Sequence, residues 1–212
     1  LMTRVIYCEQ GSPEWLDSRC GQITASNFKS LFTSRGAKVA ASTRDSYLNA
    51  VIAEKMCGHP AESFKSYDME RGNLLESQAR ACFEMHLGVD VKEVGYHMHD
   101  EFDIGCSPDG LFADTGVELK CPKANTHIKY LRSPTKLPAE YVQQVHGSMW
   151  VLNLSKYYFC SYHPELKPLI IEVKRDEELM EAAGEILISA AKLVTTETEK
   201  LNDQQICHIN ER

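Results

Sequence analysis

The chain has 212 residues, 43% hydrophobic and 25% charged, which is enough for one sizeable α/β domain and too few for two ordinary ones. No window is apolar over the roughly 18 residues that a membrane span needs, and LMTRVIYCEQGSPEW lacks the apolar stretch and cleavage site of an export signal, so a cytoplasmic protein with no membrane partner is expected. The formal net charge of −7 excludes a protein that coats nucleic acid over its whole surface.

The charge is uneven along the chain. From residue 172 onward ten acidic residues face five basic ones, which leaves 18 basic against 20 acidic in residues 1–171. Two segments are locally basic: Lys29, Arg35, Lys38 and Arg44, then Lys120, Lys123, Lys129, Arg132 and Lys136. The 8 cysteines form no CxxC pair and are expected to be mostly buried thiols. His97/His99 and Cys207/His208 are the remaining ligand-type pairings, and both are expected to be ordinary strand or tail residues.

No repeat, low-complexity run or linker divides the sequence, so residues 1–212 are read as one domain. Thr24 can cap a short helix carrying Ala25, Phe28, Leu31 and Phe32 at helical spacing. SRGAKVAAST (34–43) is small, polar and basic, as a mobile loop would be. A helix from Arg44 to Met56 follows, ended by Gly58, and a second from Met69 to Leu87 buries Leu75, Ala79, Cys82, Phe83 and Leu87 before Gly88 stops it. The period then changes to two over 91–99, 102–113 and 116–121, which predicts a three-stranded meander. Pro138 opens a helix through Tyr141, Val145, Met149 and Leu152. Strands at 156–163 and 168–174 come next, and Asp176 caps a last helix with Leu179, Met180, Ala183, Ile186, Leu187, Ala190 and Val194 inward. The order predicts an α/β fold with a mixed central sheet flanked by helices.

SPDGLFADTGVELKCP (107–122) carries the chemistry. Alternate strand residues share a face, so Glu118 and Lys120 lie on one side about 7 Å apart, with Val117, Leu119 and Cys121 on the other. Asp109 stands in a Pro-Asp-Gly turn, close enough in sequence for a hairpin to fold it onto Glu118. Two nearby carboxylates repel unless a cation lies between them. Mg²⁺ or Mn²⁺ prefers oxygen ligands and is commonly held by one or two carboxylates, waters and substrate phosphate, with the Leu119 carbonyl available as a further ligand. Lys120 can then orient a water or offset charge on a phosphorane. The residues alone leave this reading balanced against a plain turn followed by a surface ion pair.

Asp109 with Glu118-Leu119-Lys120 resembles the PD-(D/E)xK nuclease core. WLDSRCGQITASNF (15–28), RGNLLESQAR (71–80), CSPDGLF (106–112), GVELKCP (116–122) and QQVHGSMW (143–150) resemble, in order and spacing, the phage lambda exonuclease family. The resemblance implies the restriction-endonuclease-like PD-(D/E)xK fold and an enzyme using one or two Mg²⁺ ions. Such an enzyme degrades the 5′-terminated strand of linear duplex DNA processively from a phosphorylated end and leaves a 3′ single strand for annealing. It further implies a homotrimeric ring around DNA, a single-strand annealing protein as partner, and a phage or prophage origin in bacterial cytoplasm.

Carried over residue by residue, the resemblance makes Asp109, Glu118 and the Leu119 carbonyl metal ligands and Lys120 the catalytic lysine. Glu76 becomes a helix glutamate near the metals, and Gln144 an active-site glutamine. Arg19 and Ser26 match the receivers of the terminal 5′-phosphate, to which the Thr24–Ser26 helix start adds free N–H groups. Trp15 either stacks on DNA or anchors the N-terminal segment, and the residues favour the anchor. Arg35 and Lys38 fall where the family carries basic residues that reach the duplex. His146 and Gly147 depart from the family pattern. An internally cutting restriction or repair endonuclease on the same core, and a non-catalytic DNA-end-binding module, are the competing readings.

Overall fold

The structure, a computed structural model, describes residues 3–61 and 67–210, excluding the side chains of 67–69 and 205–210. Two four-stranded sheets organise it. The first contains β1 (Thr3–Ile6), β2 (Ile23–Thr24), β3 (Tyr96–His99) and β4 (Ile104–Cys106) in the order β1-β3-β4-β2, antiparallel except where β2 runs beside β4. The second contains β5 (Gly110–Phe112), β6 (Thr115–Lys120), β7 (Lys156–Ser161) and β8 (Leu169–Lys174) in sequence order. There β6 and β7 are parallel with Glu118 opposite Phe159 and Lys120 opposite Ser161, whereas β5/β6 and β7/β8 are antiparallel.

The period-two stretches expected to form one meander are therefore divided between two sheets. The break falls at Ser107-Pro108-Asp109. Pro108 has no N–H for a ladder, and the Asp109 N–H is redirected to the Val117 carbonyl at 3.1 Å, which starts the second sheet. A turn at Ala113 and Asp114 then closes β5 onto β6, with Ala113 at φ 45°.

Six α-helices are described. Ser12 caps α1 (Pro13–Arg19) by accepting from the Trp15 N–H at 3.2 Å, with proline in the first turn. The next two are α2 (Ala41–Cys57) and α3 (Tyr67–Leu87), and Gly58 ends α2 in the left-handed conformation at φ 72°. The parallel β6/β7 pair requires a long crossover, which is built from α4 (Ala124–Leu131) and α5 (Val142–Leu152). Asp176 caps α6 (Glu177–Asn210) by accepting from the Leu179 N–H at 3.1 Å. Sequence periodicity did not reveal β1, β2, α1 or α4, all of eight residues or fewer. Elements this short show barely one repeat of either period.

The larger core places Phe28, Phe32, Met149, Trp150, Phe159 and Leu187 between α2, α5, α6 and the sheets. A smaller one packs Ala79 and Phe83 of α3 onto Val117 and Leu119 of β6 and Cys160 of β7. That second cluster fixes the height of α3 over β6 and hence the place of Glu76. Gly147 lets α5 lie directly on residues 25–30, since a Cβ there would stand 2.1 Å from Phe28 Cδ2.

Several local expectations change. Residues Ala25–Ser30 form a 3-10 helix, and the Thr24 side chain makes no cap bond. Its hydroxyl instead accepts from Asn27 Nδ2 at 3.1 Å and lies 3.3 Å from Ser26 Oγ. The segment expected to be a mobile loop is tied by a bridge between Phe32 and Lys38 and rests through Gly36 on Leu179 and Ala182 of α6. Of the described cysteines only Cys106 and Cys160 are buried; Cys57 is exposed, and none is bonded to another. His99 stacks on Trp150 at 5.2 Å, and among the described residues no group of three or more His, Cys, Asp or Glu is placed to hold a metal. The Cys207 and His208 side chains lie outside the described residues. No described helix is long and apolar enough to cross a membrane.

Candidate active site

The antiparallel β5/β6 register sets Asp109, just before β5, beside the end of β6. Its Oδ2 accepts from the Leu119 N–H at 2.6 Å, so the acid is pinned to the strand that carries Glu118 and Lys120. Glu118 is 1% exposed. Its Oε1 accepts from Lys120 Nζ and, at 2.5 Å, from Gln144 Nε2 of α5. Its Oε2 is buried without a partner. Lys120 Nζ also lies 3.6 Å from Asp109 Oδ2 and donates to the Leu119 carbonyl at 3.2 Å.

Burial pushes the Glu118 carboxyl up to about 7, with Lys120 opposing the rise and Asp109 adding to it. Burial works to lower the Lys120 pKa, but Asp109 and Glu118 together outweigh it and hold the ammonium above its ordinary range. Lys120 therefore stays charged. Glu76, one turn before Ala79 on α3, is likewise raised by burial and by Asp109.

A buried, unsatisfied carboxylate oxygen is costly unless something electropositive meets it. Glu118 Oε2, the Asp109 carboxylate and the Leu119 carbonyl form an all-oxygen donor set, which fits a hard divalent cation that keeps water or phosphate in its other positions. They do not cage an ion alone, consistent with the absence of a three-ligand cluster among the described residues. A cleft of about 430 Å³ opens over Asp109 and Leu119, with Gln10, Asn73, Glu76, Lys120 and Tyr141 on its walls and Glu118 buried beneath it.

Two positioning residues escaped the sequence reading. Arg80, one turn after Glu76, donates to Glu76 Oε1 at 3.0 Å and to the Asp109 carbonyl at 2.6 Å, which ties α3 to the Pro-Asp-Gly turn. The Glu76/Arg80 i,i+4 spacing was its available signal. Gln10 donates to the Pro108 carbonyl at 2.8 Å and the Val94 carbonyl at 3.2 Å, and no local pattern marks it.

A second cluster lies next to the first along the chain. The Arg19 guanidinium packs 4.0 Å above the Trp15 ring and 5.8 Å from that of Tyr96. It donates to Ser26 Oγ at 3.2 Å and Ser107 Oγ at 3.4 Å, and Trp15 Nε1 donates to the same Ser107 oxygen at 2.9 Å. Thr24 reaches the group through Ser26. No described carboxylate pairs with Arg19, and burial lowers its pKa. Hydroxyls and a charged fork without a counter-ion suit a phosphate. Half-buried Trp15 thus serves as the floor of this cluster. Arg35 and Lys38 are exposed in the 33–38 turn and join neither cluster.

A Pro-Asp turn and an ExK strand converging at one end of the second sheet are the pattern of the PD-(D/E)xK nuclease class of fold. The chain belongs to the YqaJ-like viral recombinase domain family, whose model matches residues 14–155. The fold is similar to that of an alkaline exonuclease (LHK-Exo) from Laribacter hongkongensis, at TM-score 0.81 and 28% identity over 92% of this chain and 98% of that one. The same exonuclease in complex with dAMP matches at 0.80 and 27%, again over 92% and 98%. A phage-related exonuclease from Haemophilus somnus 129PT shares the fold at 0.66 and 15% identity, over 85% and 96%. No curated protein sequence matches the chain significantly.

Proposed function

We propose that this chain is a Mg²⁺-dependent exonuclease that removes nucleotides 5′ to 3′ from the phosphorylated ends of linear duplex DNA, leaving a 3′ single strand for recombination by annealing. One observation carries the reading. Ser107 belongs to the Arg19 cluster and Asp109 to the carboxylate cluster, so at most about 7 Å of chain separates a receptor for a terminal phosphate from the hydrolytic site. That suits removal of one terminal nucleotide at a time.

Asp109, Glu118 and the Leu119 carbonyl would hold the ion, with Glu76 alongside for a second ion or its water. When bound, such an ion polarises the phosphoryl oxygen and activates water. Gln144 and Lys120 occupy Glu118 Oε1 and leave Oε2 free. The Leu119 N–H holds Asp109 Oδ2. The Lys120 ammonium stands where it can offset negative charge growing on the phosphorus-bound oxygens. Water oxygen adds to phosphorus, the bond from phosphorus to the terminal nucleotide's 3′-oxygen breaks, and that oxygen takes a proton. The departing nucleotide keeps its 5′-phosphate, and the shortened strand carries a new one for Arg19 to receive.

In this reading the working form is a homotrimeric ring, with Arg35 and Lys38 directed to the duplex and a single-strand annealing protein as partner. Linear duplex carrying one labelled 5′-phosphate, incubated with Mg²⁺ and then with chelator, tests it. The expected result is Mg²⁺-dependent release of labelled mononucleotide, with covalently closed circles intact. Cleavage of the circles would favour the endonuclease instead, and DNA binding without release would favour an end-binding module.

A further inference from the structure

A separate cavity of about 440 Å³ adjoins the hydrolytic site on the side away from Lys120, sharing Gln10, Glu76 and Asp109 with it. This is within the size range of small-molecule sites, roughly 300–1,000 Å³. His97 lines it from β3, 6% exposed, with neither ring nitrogen bonded to a described residue. Burial lowers the His97 pKa, so the ring is neutral and offers one donor and one acceptor. Val5 and Val94 add apolar wall, and the Tyr7 ring, 91% exposed, stands at the edge.

A buried imidazole with both nitrogens idle is an unmet demand for a partner carrying complementary donor and acceptor groups. The wall excludes an anion as that partner, because Glu9, Glu76, Glu93 and Asp109 all border the cavity, while Arg80 is already committed to Glu76, to Glu93 and to the Asp109 carbonyl. What fits is flat, uncharged and edged with hydrogen-bonding groups, and attached to something that belongs at Asp109. We propose that the cavity receives the nucleobase of the terminal nucleotide as it is cut away, with His97 bonding the base edge and Tyr7 covering its face.

This inference rests on the nuclease reading, in which that nucleotide has its 5′-phosphate at the Arg19 cluster and its sugar, with the scissile 3′ bond, at Asp109. The base is thereby taken out of its stack before hydrolysis, as enzymes that work on a nucleotide from a duplex commonly require. A neutral histidine can meet either kind of base edge through its two tautomers, so the site admits all four bases and rejects a missing one.

The test is equilibrium binding, in Mg²⁺, of the four deoxynucleoside 5′-monophosphates and of abasic deoxyribose 5-phosphate. The native chain should bind the base-bearing ligands at least about tenfold more tightly, equivalent to ~1.4 kcal/mol. His97→Ala should remove most of that preference without changing the affinity for the sugar phosphate, and His97→Gln, which retains a donor and an acceptor, should restore part of it. Tyr7→Ala, at an exposed position that folding does not depend on, should weaken base-bearing ligands by about fivefold or more, as loss of base stacking does. Equal affinity of the native chain for base-bearing and abasic ligands would overturn the proposal, as would variants that weaken both kinds alike. Failure of the nuclease reading shows separately, as no nucleotide release from linear duplex.

Discussion

If the proposed function holds, Arg19→Ala separates recognition of the DNA end from hydrolysis. The guanidinium sits over Trp15, directs two nitrogens at the Ser26 and Ser107 hydroxyls, and has no described carboxylate partner. Its partial desolvation is already present before a ligand arrives, so a terminal phosphate gains the contacts without a further burial cost. Each charge-assisted hydrogen bond contributes about 1.5–3 kcal/mol, and two are geometrically available. Ser26 is exposed and the site is open to salt screening, which brings the pair to or somewhat below the lower limit of that range, about 2–3 kcal/mol. The substitution should therefore lower kcat/KM on 5′-phosphorylated duplex by about 30- to 150-fold. On 5′-hydroxyl ends it should change little, so the native preference for phosphate collapses. Arg19→Lys keeps the charge but loses the fork, and should fall between the two. Stability should hardly move, since the lost cation–π contact is worth only about 0.5–1 kcal/mol. The assay is steady-state release from duplexes that differ only in the terminal group. An unchanged ratio between the two ends, with both rates falling together, would refute the assignment.

Asp109→Asn, Glu118→Gln and Lys120→Met should each lower turnover by at least about 10²-fold, while gel-shift affinity for duplex ends in Ca²⁺ is retained through the Arg19 cluster. The Glu118 carboxyl sets a pH dependence: it keeps its proton up to about 7 when folded and loses it at its ordinary 4.5 when unfolded. The folded chain thus binds more protons in that window, and metal-free stability falls as pH rises through it. Divalent ions compete with the same proton, so the melting-temperature increase on adding Mg²⁺ should grow as pH rises through about 7, and Glu118→Gln should flatten both trends. Gly147→Ala should destabilise the fold by about 1–3 kcal/mol in urea unfolding, because the new methyl meets Phe28 Cδ2 at 2.1 Å in a closed core.

The long helices were legible because each repeats its apolar stripe over several turns: α2, α3 and α6 end or begin at the caps Gly58, Gly88 and Asp176, although α2 starts at Ala41, inside the segment expected to be a loop, and Leu87 of the expected α3 stripe is 37% exposed at the helix end. Thr24 misled, because the main chain beside it turns into a six-residue 3-10 helix and its hydroxyl goes to Ser26 and Asn27. Periodicity also read the segments from 91 to 121 as neighbouring strands of a single meander. Alternation reports that a strand has two faces, and carries no information on which strand lies beside it.

The same division runs through the site. Sequence by itself determined that Glu118 and Lys120 share a face and that Asp109 lies within a hairpin's reach of them, because strand alternation and turn chemistry act over a few residues. Only the tertiary structure decided that Gln144 reaches Glu118 across 26 residues and that Ser107 receives Arg19 across 88. It also decided that Arg80 clamps Asp109 from α3 and that His97 faces the carboxylates from a different sheet. Those placements depend on how α3 and α5 pack against the two sheets, and packing is settled by the whole core at once rather than by any local run of residues.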